Sequence, residues 1–172
     1  AIALSYNSHA GDGLAGMGWT VSGLSEIRRC PLTRAVDGRV QGVRLTAQDR
    51  FCLDGQPLIL VSGAYGGAGA QYRTEVHAYE RVISWGQQGT GPSWFEVRQP
   101  DGMVYRYGND ADSRVEAPGT TEVRAWALNE IEDRFQQRVG FTYLEDGSTG
   151  EHRPSEIRWS YGASESSQQA RY

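Results

Sequence analysis

The chain has 172 residues and a mass of 19.0 kDa, the size of one domain or of one slice of a larger one. Its 22 glycines argue against a helical bundle, where each interior glycine costs about 1 kcal/mol relative to alanine, and no apolar run approaches the roughly 20 residues that span a bilayer. Five Trp, nine Tyr and four Phe with a net charge of −4 argue against disorder, and all 17 basic residues are Arg, scattered among 21 acidic ones without a basic run, so nucleic acid is not an expected partner.

The sequence opens at Ala1 without a charged segment leading into an apolar one, and it stops at Tyr172 after the polar stretch 164–169. Both ends are those expected of a domain cut from a longer protein, with any targeting signal outside it. Period-two alternation then dominates: Ile2, Leu4 and Tyr6, next Trp19 and Val21, and near the end Ile157, Trp159 and Tyr161. Five Asp-Gly pairs punctuate the chain, and such pairs supply the positive φ of tight hairpin turns. The pattern predicts an antiparallel β protein.

Three hairpins can be registered. A two-residue loop at Asp54-Gly55 sets Phe51 opposite Leu58, with Leu53 and Leu60 on that face and Cys52 and Ile59 on the other, so both faces are expected to be covered. A glycine-rich loop over 63–69 leads to strand candidates Tyr72–Tyr79 and Arg81–Trp85. In the second hairpin, Pro100 supplies the φ of a type I turn, Asp101 follows, and Gly102 supplies the left-handed position of a three-residue loop. That register pairs Val97 with Tyr105 and Phe95 with Tyr107. A polar loop is expected over 109–120. In the third hairpin, Asp133 to Gln137 form the loop, Glu132 faces Arg138 and Ile131 faces Val139. A β-bulge near Asn129-Glu130 then puts Leu128 opposite Phe141 and Trp126 opposite Tyr143. A single helical turn near Thr46–Arg50 is the most helix allowed.

Chemistry-bearing residues are sparse. His9, His77 and His152 lack metal-ligand spacing, two cysteines cannot build a four-cysteine zinc site, and Asn109-Asp110-Ala111-Asp112 lacks the later bidentate Glu of a calcium loop. The loop Gly66-Gly67-Ala68-Gly69 has no following Lys to cradle phosphate, and Ser5, Ser22 and Ser25 lack a nucleophile-elbow context. Glu75 and Glu96 could pair as catalytic carboxylates, but cross-strand ion pairs with Arg73 or Arg98 are the plainer expectation. Cys30 precedes Pro31 at a strand end and Cys52 lies in the first hairpin. Two buried thiols are the default, and a disulfide is the alternative if the protein works outside the cell. No cofactor is expected.

Leu4-Ser5-Tyr6-Asn7-Ser8, Gly11-Asp12-Gly13 and the run Gly16-Met17-Gly18-Trp19-Thr20-Val21-Ser22-Gly23-Leu24 resemble the opening of one family. It is the family of SpvB N-terminal domains, shared with the B components of insecticidal Tc toxins. Ile27-Arg28-Arg29-Cys30-Pro31, the run from Asp49 to Gln56, and Tyr72-Arg73-Thr74-Glu75 resemble motifs that follow in the same order. The last third is similar to the Rhs or YD-repeat pattern, in which Trp126, Leu128 and Ile131 lead to Asp133 and then to Val139, Phe141 and Tyr143. Gln136-Gln137 stands where that pattern usually has Gly-Asn.

The resemblance implies an SpvB-like region over 1–120 and Rhs/YD-like hairpins over 121–172 that continue further. It implies an all-β fold with little or no helix, in which antiparallel hairpins form a curved or coiled sheet, part of a Rhs-type shell. The implied role is structural and non-enzymatic, in a secreted bacterial toxin whose shell encloses a C-terminal toxic effector. Partners would be the remaining repeats, the effector and a Tc-type pore component. Gly18 and Trp19, with Tyr6, would fix the entry; Trp126, Phe141 and Tyr143 would pack a repeat face. A strip of hairpins rich in Arg and Glu is expected not to close a core alone and to leave an unpaired edge. Two other readings make different demands: a carbohydrate-binding β-sandwich needs a row of exposed rings, and an enzyme needs a cleft with converging carboxylates or a perturbed His.

Overall fold

The computed structural model describes residues 3–8, 12–13, 16–17, 19–76, 79–146, 151–161 and 168–171. Strand β1 (Ala3–Tyr6) pairs antiparallel with β4 (Trp19–Ser22), and the short β2 (Asp12–Gly13) and β3 (Gly16–Met17) pair between them. Next come β5 (Glu26–Cys30), one helical turn α1 (Arg34–Asp37), and β6 (Arg50–Leu53). The chain continues through β7 (Gln56–Pro57), β8 (Ile59–Ser62), β9 (Gln71–Arg73) and β10 (Arg81–Trp85). Strands β11 (Trp94–Arg98) and β12 (Val104–Tyr107) form a hairpin, followed by a 3₁₀ turn at Ala111–Ser113 and β13 (Arg114–Glu116). The long strands β14 (Val123–Glu132), β15 (Arg138–Asp146) and β16 (Glu151–Tyr161) end the chain with β17 (Gln168–Arg171).

One antiparallel sheet nearly closes on itself. Neighbours run β14–β12–β11–β10–β9–β8, and β8 continues back through Leu58 into β7, which pairs with β6, then β5, then β14 again. Rings from strands far apart in this order therefore meet inside: Phe51 on β6 lies 5.3 Å from Phe95 on β11, and Trp126 on β14 lies 5.4 and 5.0 Å from the two. A barrel of this size is filled largely by side chains, and a recess of about 490 Å³ remains beside Leu53, Val97, Tyr107 and Leu128. The expectation that the hairpins cannot close a core alone is thus corrected: Ile27, Phe51, Tyr72, Phe95, Trp126 and Leu128 are all buried in one cluster. Enough inward-facing aromatics converge to remove the interior from water.

Strand β14 is where the sheet branches. One of its edges is lined by β12 and then β13. Its other edge pairs with β15 at Glu130–Glu132 and with β5 at Ala125–Ala127. The change of partner falls at Asn129, where the β12–β14 register shifts by one residue. Beyond Gly140, β15 peels away and among the described strands pairs with β16, Phe141 facing Ile157 and Tyr143 facing Pro154. β16 in turn carries β17.

The registers read from the sequence hold at the turns. Phe51 accepts the Leu58 N–H at 2.8 Å, Val97 faces Tyr105 and Phe95 faces Tyr107, and Ile131 faces Val139. Four expectations need correction. Leu128 and Trp126 do not face Phe141 and Tyr143, because β5 takes that edge. The first hairpin is not covered on both faces, since Ile59, Leu60 and Val61 are exposed. The strand begun at Tyr72 stops at Arg73, where β10 no longer faces it, and the supposed loop over 109–120 contains β13, drawn in by the free edge of β14. Helix also forms elsewhere than expected. The segment at Thr46–Asp49 is a hydrogen-bonded turn, whereas α1 is stopped by Gly38, whose φ of +70° makes a left-handed cap that a side chain would strain.

Candidate functional site

Alternation along β5 puts Arg29 on the same face as Ile27, opposite Phe51 and therefore toward the barrel interior. Its guanidinium side chain is 1 % exposed. It donates to the Val123 carbonyl at 2.7 Å, the Thr46 carbonyl at 2.8 Å, Asp49 Oδ2 at 3.3 Å, Thr90 Oγ1 at 3.2 Å and Glu122 Oε2 at 3.4 Å. Five partners from three segments satisfy a charge that would otherwise be costly to bury. Glu122 also accepts from the Thr90 N–H and hydroxyl. Burial would raise its carboxyl, but those bonds and the Arg29 charge outweigh it and hold it below the usual carboxylate range. Gly91 is needed here, since a Cβ would sit 2.8 Å from the guanidinium. The cluster ties three loops into a plug. Sequence reasoning passed over Arg29; the signal was its even spacing from Ile27, which puts a charge on a core face.

The second half of the ring is pinned by Asp54. It turns the hairpin at φ +48° with Gly55 at +82°, and its carboxylate accepts from the Ser25 hydroxyl at 2.7 Å and the Glu26 N–H at 3.0 Å. Ser25 also meets the Tyr107 hydroxyl at 3.0 Å; burial pushes that phenol's pKa up. Pro100 and Asp101 head the second hairpin turn, where Asp101 accepts the Met103 N–H at 3.0 Å and Gly102 takes φ +89°. Trp126 donates its indole N–H to the Pro92 and Ser93 carbonyls at 3.2 and 3.1 Å. Phe141 is buried on β15. Tyr143 stacks on His152 with ring centres 4.5 Å apart and donates its hydroxyl to the Leu128 carbonyl at 2.6 Å. Tyr6 and Trp19 face each other across β1 and β4, while Gly18 lies outside the described residues, as do His9 and His77.

Two further features lie on the outer face. Glu96 on β11, Arg106 on β12, Glu130 and Glu132 on β14 and Arg138 on β15 form a charge ladder that crosses from the barrel into the departing sheet. Arg98 also pairs with Glu96 at 2.7 Å, so Glu96 serves the ladder and Glu75 is not drawn to it. Burial would lower the Arg106 guanidinium pKa, but the hydrogen bond that it donates to Glu132 and the charges of both acids more than restore it. Cys30 and Cys52 are joined by a disulfide on adjacent strands β5 and β6, facing a cavity of about 670 Å³ beside α1 and β8.

Among the described residues, no group of three His, Cys, Asp or Glu side chains converges as a metal site. Asp112, part of the candidate calcium loop, instead accepts the Tyr143 N–H at 2.8 Å and Asp110 accepts from Asn129 at 3.2 Å. Both are loop anchors, and Asn129 is the bulged residue, so bulge and loop hold each other. The rings Phe95, Tyr107, Trp126, Phe141 and Tyr143 are buried and form no exposed row for a sugar.

Neither a family model nor a curated protein matches the sequence. Solved structures do match. The N-terminal domain of the effector SpvB from Salmonella typhimurium superposes with TM-score 0.68 at 19 % identity over 96 % of this chain. TcdB2-TccC3-Cdc42 superposes with TM-score 0.66 at 22 % identity, and the Photorhabdus luminescens Tc holotoxin pore with 0.64 at 20 %, each over 92 % of this chain. The chain spans 61 % of the SpvB domain and 8 % of each of the two toxin chains. At these identities the likeness is one of architecture. The chain has the all-β fold of the SpvB N-terminal domain, and that fold recurs within the TcdB2-TccC3 toxin chains.

Proposed function

We propose that this chain is a non-enzymatic structural module of a secreted or translocated toxin, the opening wall of a β shell. The observation that supports it most is the branch at β14. A sheet leaves a plugged barrel through β15 and β16 and ends on β17, which among the described strands has one partner. A free edge is a template for the next strand, and further Rhs-type hairpins would supply it. The plugged interior suits a fixed foundation better than a ligand site. In this reading the effector lies inside the shell and a pore component is the docking partner, as the TccC3-containing and pore assemblies with this fold suggest.

The test is a structure of the polypeptide encoded by the complete reading frame. A β17 paired on both edges, inside a wall that encloses a cavity, is the expected result. A solvent-exposed β17, or a downstream catalytic domain with no repeats, would remove the enclosure role.

A further inference from the structure

A second edge lies at β8, at the opposite end of the strand order from β17. Ile59–Ser62 hydrogen-bonds to β9 alone among the described strands, because the chain breaks from β6 at Leu58. Natural edge strands are usually blunted by a charge, a proline or a cover. Here the edge residues are Ile-Leu-Val-Ser, all exposed, with Val61 at 59 %; the register shift between Leu60 and Ser62 makes Val61 a bulge, while Ile59 and Leu60 stay in register with Arg73 and Tyr72. Along this edge runs the 670 Å³ cavity, with Ile59, Leu60 and Val36 as apolar lining.

The charge of the lining selects among occupants. Its exposed ionic groups are the guanidiniums of Arg28 and Arg50, 58 % and 38 % exposed. Its single carboxylate, Asp37, is 5 % exposed and already holds Arg50 at 2.6 Å. Burial would raise that acid, but the Arg50 hydrogen bond, the Thr33 N–H and Arg39 outweigh it, so it stays ionised and committed. Arg28 shares its charge with Glu26. Arg50 also lies over the Tyr65 ring, 4.7 Å from its centre, which fixes the guanidinium at the groove wall. The chain as a whole is net negative, whereas the groove lining carries three guanidiniums and one carboxylate. Two copies meeting edge to edge would bring like charges together.

We propose that the β8 edge and its groove accept an extended, acidic–apolar segment of a partner protein by strand addition. The backbone of the segment would extend the ladder, its apolar side chains would enter beside Ile59 and Leu60, and its carboxylates would meet Arg28 and Arg50. This site is separate from β17 and does not depend on the shell reading.

Fluorescence anisotropy with a short labelled peptide of alternating valine and glutamate tests it, alongside a counterpart carrying lysine for glutamate. The acidic probe is expected to bind at least about tenfold more tightly and to slow amide exchange at Ile59–Ser62. Val61→Glu places a charge of the probe's own sign on an exposed edge position, so it should leave the melting temperature unchanged and weaken binding by about tenfold or more. Arg50→Glu should remove the preference for the acidic probe. No binding, equal binding of both peptides, or binding indifferent to Val61→Glu would overturn the proposal. So would a dimer in sedimentation velocity that Val61→Glu dissolves, since the occupant would then be a second copy.

Discussion

In the barrel, Phe51, Phe95 and Trp126 arrive from three strands and bury one another, and Arg29 bonds to three segments that are distant in sequence. In the departing sheet, Phe141, Tyr143 and Ile157 reach the core from one face only, while the C-terminal end of β15 from Leu144 onward stands in solvent. The backbone ladders are alike. What differs is how many separate pieces of chain must move together for a residue to be exposed. The barrel is therefore expected to open as one cooperative unit and β15–β17 to open locally.

The largest effect should come from Arg29→Ala. It leaves Asp49, 2 % exposed in its side chain, without its cation and strips the donors from two carbonyls. Removing one partner of a buried ion pair costs about 3–5 kcal/mol. Urea denaturation is expected to show a loss of that order, with the barrel amides losing protection and those of β15–β17, which exchange through local opening, changing less. Arg29→Met, which fills the space without the charge, should be less harmful with Asp49→Asn beside it. A loss under about 1 kcal/mol for Arg29→Ala would demote the plug to a surface pair.

Next is the disulfide. Cys30 and Cys52 close a loop with a sequence separation of 22, and cross-links of that span contribute roughly 3 kcal/mol through the unfolded chain. Reduction, or Cys30→Ser with Cys52→Ser, should lower the melting temperature and loosen the segment 31–49 before the barrel. If intact mass after alkylation without reduction finds two free thiols, this step is lost.

How far the sequence discloses all this differs between the same two regions. Turn chemistry is local, so Asp54-Gly55 and Pro100-Asp101-Gly102 set their registers within a few residues and can be read directly. The departure of β15 cannot be read so. The bulge at Asn129 is visible from the mismatch between Leu128 and Ile131, yet the choice of β5 over β15 as the partner of Ala125–Ala127 depends on a strand a hundred residues earlier. The plug was hidden for a like reason: Arg29 looks like one more surface charge until Ile27 and Phe51 fix its face. The disulfide also needed the pairing of β5 with β6, which brings Cys30 and Cys52 within one diagonal of each other.

A smaller effect isolates the departing sheet. Tyr143→Phe removes a buried hydroxyl that donates to the Leu128 carbonyl and leaves the His152 stack in place. About 1 kcal/mol is expected, and it should appear as faster exchange in β15 and β16 while β11 and β14 keep their protection. Equal acceleration in both regions would mean that barrel and sheet open together, against the distinction drawn from their packing.

The smallest effect is a pH dependence with opposite limbs. Glu122 in the plug is held below its ordinary value of 4.5 and Asp37 beside α1 below 3.8. A carboxylate lowered on folding adds stability above its unfolded pKa, and that stability is lost as the pH falls through the folded one. Melting temperature should thus be flat from neutral pH down to about 5 and fall below that. Tyr65, Tyr107 and Tyr143 are raised above 10.0 by burial, so their contribution is full below that value and fades as the unfolded chain ionises above it. Glu122→Gln separates the regions. It should flatten part of the acid limb of the barrel's melting and leave the exchange of β16 unaltered, because no contact of Glu122 reaches the departing sheet among those that hold the plug. An acid limb identical in wild type and Glu122→Gln would show that the Thr90 and Arg29 contacts do not favour the ionised form, and the counter-charge of the plug would then rest on Asp49.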